Sequence, residues 1–313
     1  MHTSYRHLTD SRGLVMPVKL SGVLYLVVVF LLTGVTLPAF AEPQRVVSID
    51  GSITEIIYAL EQEHRLVGRD TTSTWPEEVN DLPDVGYMRQ LSAEGLLSLR
   101  PDLILVTADA KPQSVLDQLQ QTGVNIRVIP NVYTLAGVEN KIAEVADALG
   151  VAPEGDVLIQ AFAEESDQVI SQLTARNADA IRAIFVMGVR NSSMMVAGKG
   201  SRADAFLALA GLTNPFSDSV DNYQTVSAEA LIQANPDLIL TLENAEAMGG
   251  GRDRVLADPA ISRTSAGQAG KVIAIEPRWL NFGPDLPHSL NALVNSLNLP
   301  ESTVDLAGSE GGH

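Results

Sequence analysis

The chain contains no cysteine, so it can form no disulfide, no thiolate metal site and no lipid-modified N-terminal cysteine. Histidine is almost as scarce, because after residue 41 only His64, His288 and His313 occur. The first lies in a charged turn, the second at the start of the last predicted helix, and the third is the final residue. A histidine cage for zinc or manganese and histidine-driven hydrolysis are therefore both disfavoured.

The charge balance and the motifs exclude further functions. There are 21 basic residues against 38 acidic ones, a net charge of −17, whereas nucleic-acid phosphates need a basic partner. The run Gly198–Ser201 superficially suggests a phosphate loop, but its spacing is wrong, and it and Gly249–Gly251 are better explained as tight turns. Since no nucleophile is paired with a base, we expect no enzyme. An exported two-lobe hydrolase is the alternative, and it would need an activated nucleophile or a metal centre.

The N-terminal segment 1–41 is typical of a secretory signal peptide. Lys19 precedes the apolar run Leu20–Leu37, and Ala39–Ala41 supplies an A-x-A cleavage pattern. An uncleaved membrane anchor is the alternative, since the run approaches the length that spans a bilayer. Met16 is a second candidate start. The prediction is a soluble mature protein exported to the periplasm.

One segment of the chain occurs twice. Leu91–Val106 and Val226–Thr241 align without a gap at an offset of 135 residues, and both contain Ser-Ala-Glu followed by Pro-Asp-Leu-Ile-Leu. Each copy predicts a serine-capped helix, a proline that ends it, and an apolar strand buried on both faces. The offset suits a duplicated domain, so the sequence predicts an α/β protein of two lobes, each with a parallel sheet.

The predicted boundaries follow from the repeat and from one long helix. Between Glu154 and Ala175 apolar residues recur at helical spacing, which predicts a rod about 30 Å long. We assign 42–150 to the first lobe, 151–178 to a connecting helix and 179–301 to the second lobe. The polar segment 302–313 is predicted to be a flexible tail. An ordinary surface helix is the alternative for the rod.

Tyr87 is the most informative single residue. It follows Gly86 in a loop ahead of the first repeat helix, where a core tyrosine is not expected. A phenolate oxygen is a hard donor suited to ferric iron, and tyrosine is a known axial ligand of haem iron. The alternative from the residues alone is an exposed aromatic side chain without a ligand.

The stretch from Arg45 to Leu297 resembles the periplasmic substrate-binding proteins of ABC importers for haem. These belong to a larger group, the class III periplasmic binding proteins, that also carries siderophores and cobalamin. The most specific match is Gly86–Gly95, with the pattern Gly-Tyr-x-Arg-x-Leu-Ser-Ala-Glu-Gly. The other matching segments are Gly51–Leu60, Asp70–Ser73, Leu82–Val85 and Ala197–Ser201.

The resemblance implies two Rossmann-like lobes, a connecting helix and a cleft site with limited hinge motion. It further implies that haem is the transported ligand, that Tyr87 is the axial ligand of its iron, and that the chain is a monomer without enzymatic activity. An ABC permease dimer with its ATPase subunits would receive the haem. A ferric-siderophore or cobalamin binder of the same architecture is the alternative, and an extracytoplasmic sensor subunit is a further one.

The resemblance also gives roles to charged residues. Glu94 and Glu229 match glutamates that dock onto arginines of the permease, where opposite charges set orientation and capture rate; stabilisation of a helix terminus alone is the alternative for each. Some members of the group place an arginine of the second lobe against the tyrosine oxygen. Arg252 and Arg254 lie in the matching region, and we favour Arg252 for this role.

Two features depart from the pattern of that group. No histidine lies near Met187–Arg190, so a second haem held by a histidine there is not expected. A late Gly-Pro-Arg motif is altered to Gly283-Pro284-Asp285.

Overall fold

A computed structural model describes residues 42–175, 181–190, 193–243 and 250–297. The predicted signal peptide 1–41, the tail 302–313 and the last three residues of the predicted connecting helix lie outside the described residues. Gly249 of the glycine run lies outside them too.

The first lobe is built on a four-stranded parallel sheet in the order β2-β1-β3-β4. Its strands and helices alternate along the chain, as parallel pairing requires. The elements are β1 Val46–Ile49, α1 Gly51–Ala59, β2 Leu66–Arg69, α2 Ala93–Ser98, β3 Leu103–Thr107, α3 Gln113–Gln121, β4 Asn125–Ile129 and α4 Leu135–Leu149, with 3-10 turns at Glu63–Arg65 and Glu77–Asp81. β1 and β3 are buried along their whole length, because helices cover both faces of the sheet.

A 24-residue helix, α5 Ala152–Ala175, follows the first lobe. Phe162, Val169 and Leu173 on one of its faces are buried, as the helical spacing of its apolar residues predicts. The helix packs against α4 and against the last helix of the chain.

The second lobe contains a five-stranded sheet in the order β7-β6-β5-β8-β9. β5, β8 and β9 are parallel, whereas β6 runs antiparallel to both β5 and β7. The elements are β5 Ala183–Arg190, β6 Ser193–Ala197, α6 Arg202–Leu209, β7 Tyr223–Val226, α7 Ala228–Ala234, β8 Leu238–Leu242, α8 Arg252–Leu256, α9 Ser265–Gln268, β9 Val272–Ile275 and α10 Leu286–Leu297, with 3-10 turns at Ile261–Arg263 and Pro277–Leu280.

The α/β class and the two sheets are confirmed, but the second sheet is mixed rather than wholly parallel. β6 includes the segment Met195–Ala197, which the sequence alone did not identify as a strand. Met194 and Val196 are buried on either side of the exposed Met195, the alternation of a half-buried strand. Its pairing with β5 is what makes it a strand.

Both copies of the repeat fold as predicted. Ser92 Oγ accepts a hydrogen bond from Gly95 N at 3.5 Å in α2, and Ser227 Oγ accepts one from Ala230 N at 3.2 Å in α7. The residue before each proline, Arg100 in one copy and Asn235 in the other, is left-handed, with φ of 47° and 42°. Each proline therefore ends its helix and directs the chain into the buried strand that follows.

The aspartate after each proline has a structural role that the sequence did not reveal. Asp102 accepts hydrogen bonds from the backbone N–H groups of Gln44 and Arg45, both at 2.9 Å. Asp237 accepts one from the N–H of Arg182 at 3.0 Å. In both lobes the carboxylate thus binds the backbone just before the neighbouring strand, which explains why Pro-Asp recurs.

The two lobes share one apolar core along α5. A single cluster of buried side chains joins Ile53 of the first lobe, Phe162 of α5, Phe185 and Phe206 of the second lobe, and Leu290 of α10. Two further clusters fill the remaining faces of the sheets. Burial of this shared surface stabilises the joined arrangement of the lobes.

Candidate ligand-binding cleft

The carboxyl edge of the first sheet faces the second lobe. All four strands are parallel, so the segments that follow them meet at this edge. They contain Asp50 after β1, Tyr87 after β2, Asp109 after β3 and Tyr133 after β4. In sheets with this strand order, ligands bind at the carboxyl edge where the order reverses, here between β1 and β3.

Tyr87 is held outward by buried neighbours. Val85, Met88 and Leu91 are 9%, 4% and 5% exposed and belong to one apolar cluster, whereas Tyr87 is 42% exposed. The side chains on both sides of Tyr87 therefore anchor the loop to the first lobe. Its phenol remains open to solvent, where it can contact a ligand.

Gly86 makes this presentation possible. Its φ is +95°, a left-handed conformation that glycine adopts without a steric penalty. Gly86 N donates to Asp84 Oδ1 at 2.8 Å, and Gly86 O accepts from Thr71 N at 3.1 Å. Asp84 is fixed in turn by an ion pair with Arg69 at 2.8 Å. The backbone before Tyr87 is thus fixed before any ligand binds.

The Tyr87 loop is electrostatically coupled to the second lobe. Burial raises the pKa of Tyr223 in β7, while Arg202 and Arg89 act in the opposite direction. Arg89 is exposed and lies two residues after Tyr87. Its positive charge therefore acts on a side chain of the second lobe, alongside the larger effect of Arg202.

An arginine of the second lobe enters the carboxyl edge of the first sheet. Arg202 Nη2 lies 2.5 Å from Asp50 Oδ2 and 3.7 Å from Asp109 Oδ2, and Nε donates to Tyr133 Oη at 3.3 Å. Burial by itself raises the pKa of Asp50, but Arg202 and Lys141 outweigh it and lower that pKa to about 2. The pair is therefore ionised across the pH range in which the protein would work.

A second polar contact joins the lobes beside α1. Lys141 Nζ donates to Ser52 Oγ at 2.8 Å and to the carbonyl of Phe282 at 3.2 Å. Burial lowers the pKa of Lys141 to about 8, although Asp50 acts to raise it. Burial raises the pKa of Glu55 to about 8, so this carboxyl is mostly protonated at neutral pH.

The predicted arginines Arg252 and Arg254 both lie in α8, and the structure shows no contact between either of them and Tyr87. Arg252 Nε donates to the carbonyl of Val272 in β9 at 3.1 Å, and its Nη1 lies 3.8 Å from Asp253. Arg254 is exposed. The contacts of Arg252 tie α8 to β9, and its role beside Tyr87 stays a prediction.

The predicted docking residues Glu94 and Glu229 are both exposed in the first turn of their helices. Hydrogen bonding to its own backbone N–H and to Ser227 lowers the pKa of Glu229. Both positions therefore present a negative charge at equivalent places in the two lobes. The same position near a helix N-terminus also stabilises each helix, so the alternative of a local role remains.

A cavity of about 320 Å³ lies elsewhere, beside α5. It is lined by α1, α5, the loop residues Trp75 and Pro76, and the segment after the last 3-10 turn, which includes Asp285. Tyr87 does not line it. Among the residues that the structure describes, no group of three or more acidic, histidine or cysteine side chains could hold a metal ion. Within the same part of the chain, no helix is both long and apolar enough to cross a bilayer.

Comparisons with known proteins agree with this architecture. A family model described as "Periplasmic binding protein" matches residues 46–279. The chain is similar to the solved structure of "Periplasmic heme-binding protein BhuT in complex with two hemes", with 36% identity, a TM-score of 0.76, and coverage of 81% of this chain and 97% of that one.

Two curated relatives cover a similar share of the chain. The "Uncharacterized ABC transporter substrate-binding lipoprotein YvrC" of Bacillus subtilis (strain 168) is 26% identical, over 82% of this chain and 80% of that protein. The "Vitamin B12-binding protein" of Pectobacterium carotovorum subsp. carotovorum is 27% identical, over 82% and 89%. The chain therefore belongs to the periplasmic binding protein family, as a non-enzymatic substrate-binding protein of ABC import with the class III fold.

Proposed function

We propose that this protein captures ferric haem in the cleft between its lobes and delivers it to an ABC permease. The observation that most supports the proposal is the outward position of Tyr87 between the buried Val85 and Met88. Binding residues are often carried on loops that a rigid scaffold holds in place, and Gly86 and Asp84 fix the turn that presents Tyr87. The haem-binding relative is also more similar to this chain, at 36% identity, than the vitamin B12-binding one, at 27%.

The chemistry of the cleft rim suits haem. The Tyr87 phenolate would coordinate the ferric iron, as tyrosine does in other haem proteins. Val132, which follows β4 at the same sheet edge, is 51% exposed and offers apolar contact to a flat ring. Arg89 provides positive charge for the carboxylates of haem in a chain with a net charge of −17. Binding would therefore combine one iron ligand with apolar and ionic contacts.

Delivery would use the two exposed glutamates. Glu94 and Glu229 occupy equivalent positions in the two repeat copies, so one would dock on each half of a permease dimer. Two separated charges orient the loaded protein and speed its capture. The partner in this scheme is an inner-membrane permease dimer with ATPase subunits, and the protein would act as an exported periplasmic monomer after removal of the signal peptide 1–41.

Cobalamin is the second candidate ligand, since a vitamin B12-binding relative matches 82% of the chain. The two candidates predict different roles for Tyr87. Ferric haem has an axial position that a phenolate can occupy, whereas cobalamin would be bound without a tyrosinate–haem spectrum. A ferric siderophore is the third member of this group of ligands, and it too would be bound without a tyrosinate–haem spectrum.

Absorption titrations with hemin, cyanocobalamin and a ferric siderophore test the proposal on the purified mature chain. We expect hemin to give a high-spin ferric tyrosinate spectrum that Tyr87→Phe abolishes. Tyr58→Phe is a matched control, because Tyr58 lines the cavity beside α5 and not the cleft. Tight binding of cyanocobalamin or the siderophore with no hemin spectrum would instead reject haem as the ligand.

A further inference from the structure

We propose that Arg202 is a positioning residue that fastens the second lobe to the carboxyl edge of the first sheet and so sets the width of the ligand cleft. Arg202 is the first residue of α6 and follows Ser201, whose Oγ accepts a hydrogen bond from Asp204 N at 3.1 Å. Its backbone is thus fixed in the second lobe. Its side chain, which is 19% exposed, extends into the first.

Segments that follow three strands of the first sheet surround the guanidinium. Arg202 Nη2 lies 2.5 Å from Asp50, which follows β1, and 3.7 Å from Asp109, which follows β3. Arg202 Nε donates at 3.3 Å to Tyr133, which follows β4. The guanidinium carbon also lies 5.5 Å from the centre of the Tyr133 ring. The crevice between β1 and β3 is where sheets of this order bind ligands. In this chain an arginine from the other lobe occupies it.

Asp50 is held as a fixed anion for this contact. It is fully buried and accepts hydrogen bonds from Ser52 N at 2.9 Å, Ser52 Oγ at 2.8 Å and Thr107 Oγ1 at 3.2 Å. Its φ of 109° is disfavoured for a residue with a side chain, and its N–H is fixed by Asp70 Oδ1 at 3.0 Å. Separation of the lobes here would remove the guanidinium that neutralises a buried carboxylate, which is unfavourable.

The lobes remain joined elsewhere without Arg202. The shared apolar cluster includes Ile53, Phe162 and Phe206, and Asn281 bonds Glu55 across the lobes at 2.8 Å. Loss of the Arg202 contact should therefore leave the protein folded but let the lobes vary in orientation. A cleft of variable width holds its ligand less well, and such losses appear mainly in the dissociation rate.

The absence of cysteine allows a direct test of lobe orientation. Gln120→Cys in α3 and Gln268→Cys in α9 place one exposed label on each lobe, and pulsed electron spin resonance then gives the distance distribution. We expect Arg202→Gln to broaden it. Arg182→Gln is the matched control, because the partner of Arg182 is Asp237 in the same lobe, and it should leave the distribution narrow.

Arg202→Lys is a second variant that keeps a cation beside Asp50 and so protects the fold. We expect intermediate broadening, because an ammonium lacks the planar fork that reaches Asp50 and Tyr133 together. A distribution in Arg202→Gln and Arg202→Lys that is as narrow as in the parent protein would overturn the proposal.

A second measurement, the rate of haem release, rests on the proposed function. Transfer of haem to excess apomyoglobin should be several-fold faster from Arg202→Gln, with the tyrosinate bands unchanged, since Tyr87 itself is intact. Broadening without faster transfer would overturn the role of Arg202 in ligand retention. If the parent protein binds no haem, the proposed function fails, while the distance measurement still decides whether Arg202 sets the lobe orientation.

Discussion

Asn281 of the second lobe donates a hydrogen bond of 2.8 Å from Nδ2 to Oε1 of Glu55 in the first lobe. Glycines permit this close approach on both sides. A Cβ on Gly51 would lie 2.6 Å from Asn281 Nδ2, and one on Gly283 would lie 2.2 Å from Glu55 Oε2. Gly283 belongs to the altered Gly-Pro-Asp motif, so its glycine has a packing role here. The Asp285 of that motif forms an ion pair with Arg278.

Glu55→Gln should stabilise the protein increasingly as the pH rises. Burial raises the pKa of Glu55 from 4.5 to about 8, so between these values the folded state binds more protons and the parent protein loses stability with rising pH. Glutamine accepts the same bond from Asn281 and cannot ionise. Urea unfolding at pH 5, 6.5 and 8 measures the free energy of unfolding of the variant and of the parent protein. The difference between the two should grow with pH to a few kcal/mol, at about 1.4 kcal/mol per pKa unit. A difference that does not change with pH would contradict the assignment.

Gly86→Ala should destabilise the protein by about 1–2 kcal/mol, the cost of a left-handed conformation for a residue with a Cβ. No atom lies within 4 Å of the added Cβ, so the effect is conformational rather than steric. Haem affinity should fall as well, because the turn that presents Tyr87 relaxes. Thermal unfolding and hemin titration measure the two effects.

Gly95→Ala is the matched control for that experiment. Gly95 lies within α2, and a Cβ there would have only one neighbour, at 3.9 Å. Alanine should stabilise the helix by up to about 1 kcal/mol and leave hemin binding unchanged. Equal destabilisation by both substitutions would show that Gly86 has no special conformational role.

Glu94→Gln combined with Glu229→Gln should abolish haem uptake while hemin affinity stays the same. Both side chains are exposed and take no part in the buried contacts between the lobes, so hemin binding should not depend on them. Growth on haem as the iron source and hemin titration separate the two readouts. Glu154→Gln with Glu164→Gln, two exposed positions on α5, is the control and should support normal uptake. Normal uptake by the first double variant would favour the local helix role or a sensor function.

The repeat predicted the lobes well because its signals are local. A capping serine, a proline and an apolar run act within about 16 residues, and the same local physics operates in both copies. β6 was missed because only its pairing with β5 and β7 defines it as a strand. The few apolar residues before Gly198 form too short a pattern to distinguish a strand from a loop that precedes a helix.

The candidate site was predictable in part for the same reason. Tyr87 stands out by its place after Gly86 in a loop. Its exposure in the structure fits both an iron ligand and an exposed aromatic without a ligand, so its role as a ligand stays a prediction. Arg202 was missed because its partner Asp50 lies 152 residues away, and no local pattern links a basic residue at a helix start to a distant strand end. The sequence signal that could have drawn attention to the crevice is an aspartate, Asp50, placed directly after the apolar strand Val46–Ile49.

The most direct test of the account is a crystal structure of the mature protein grown with ferric haem. We predict that the iron lies between the lobes and is coordinated by Tyr87 Oη, with Arg202 still paired to Asp50. Haem bound with its iron on another residue, or Tyr87 turned away from the metal, would contradict the central claim.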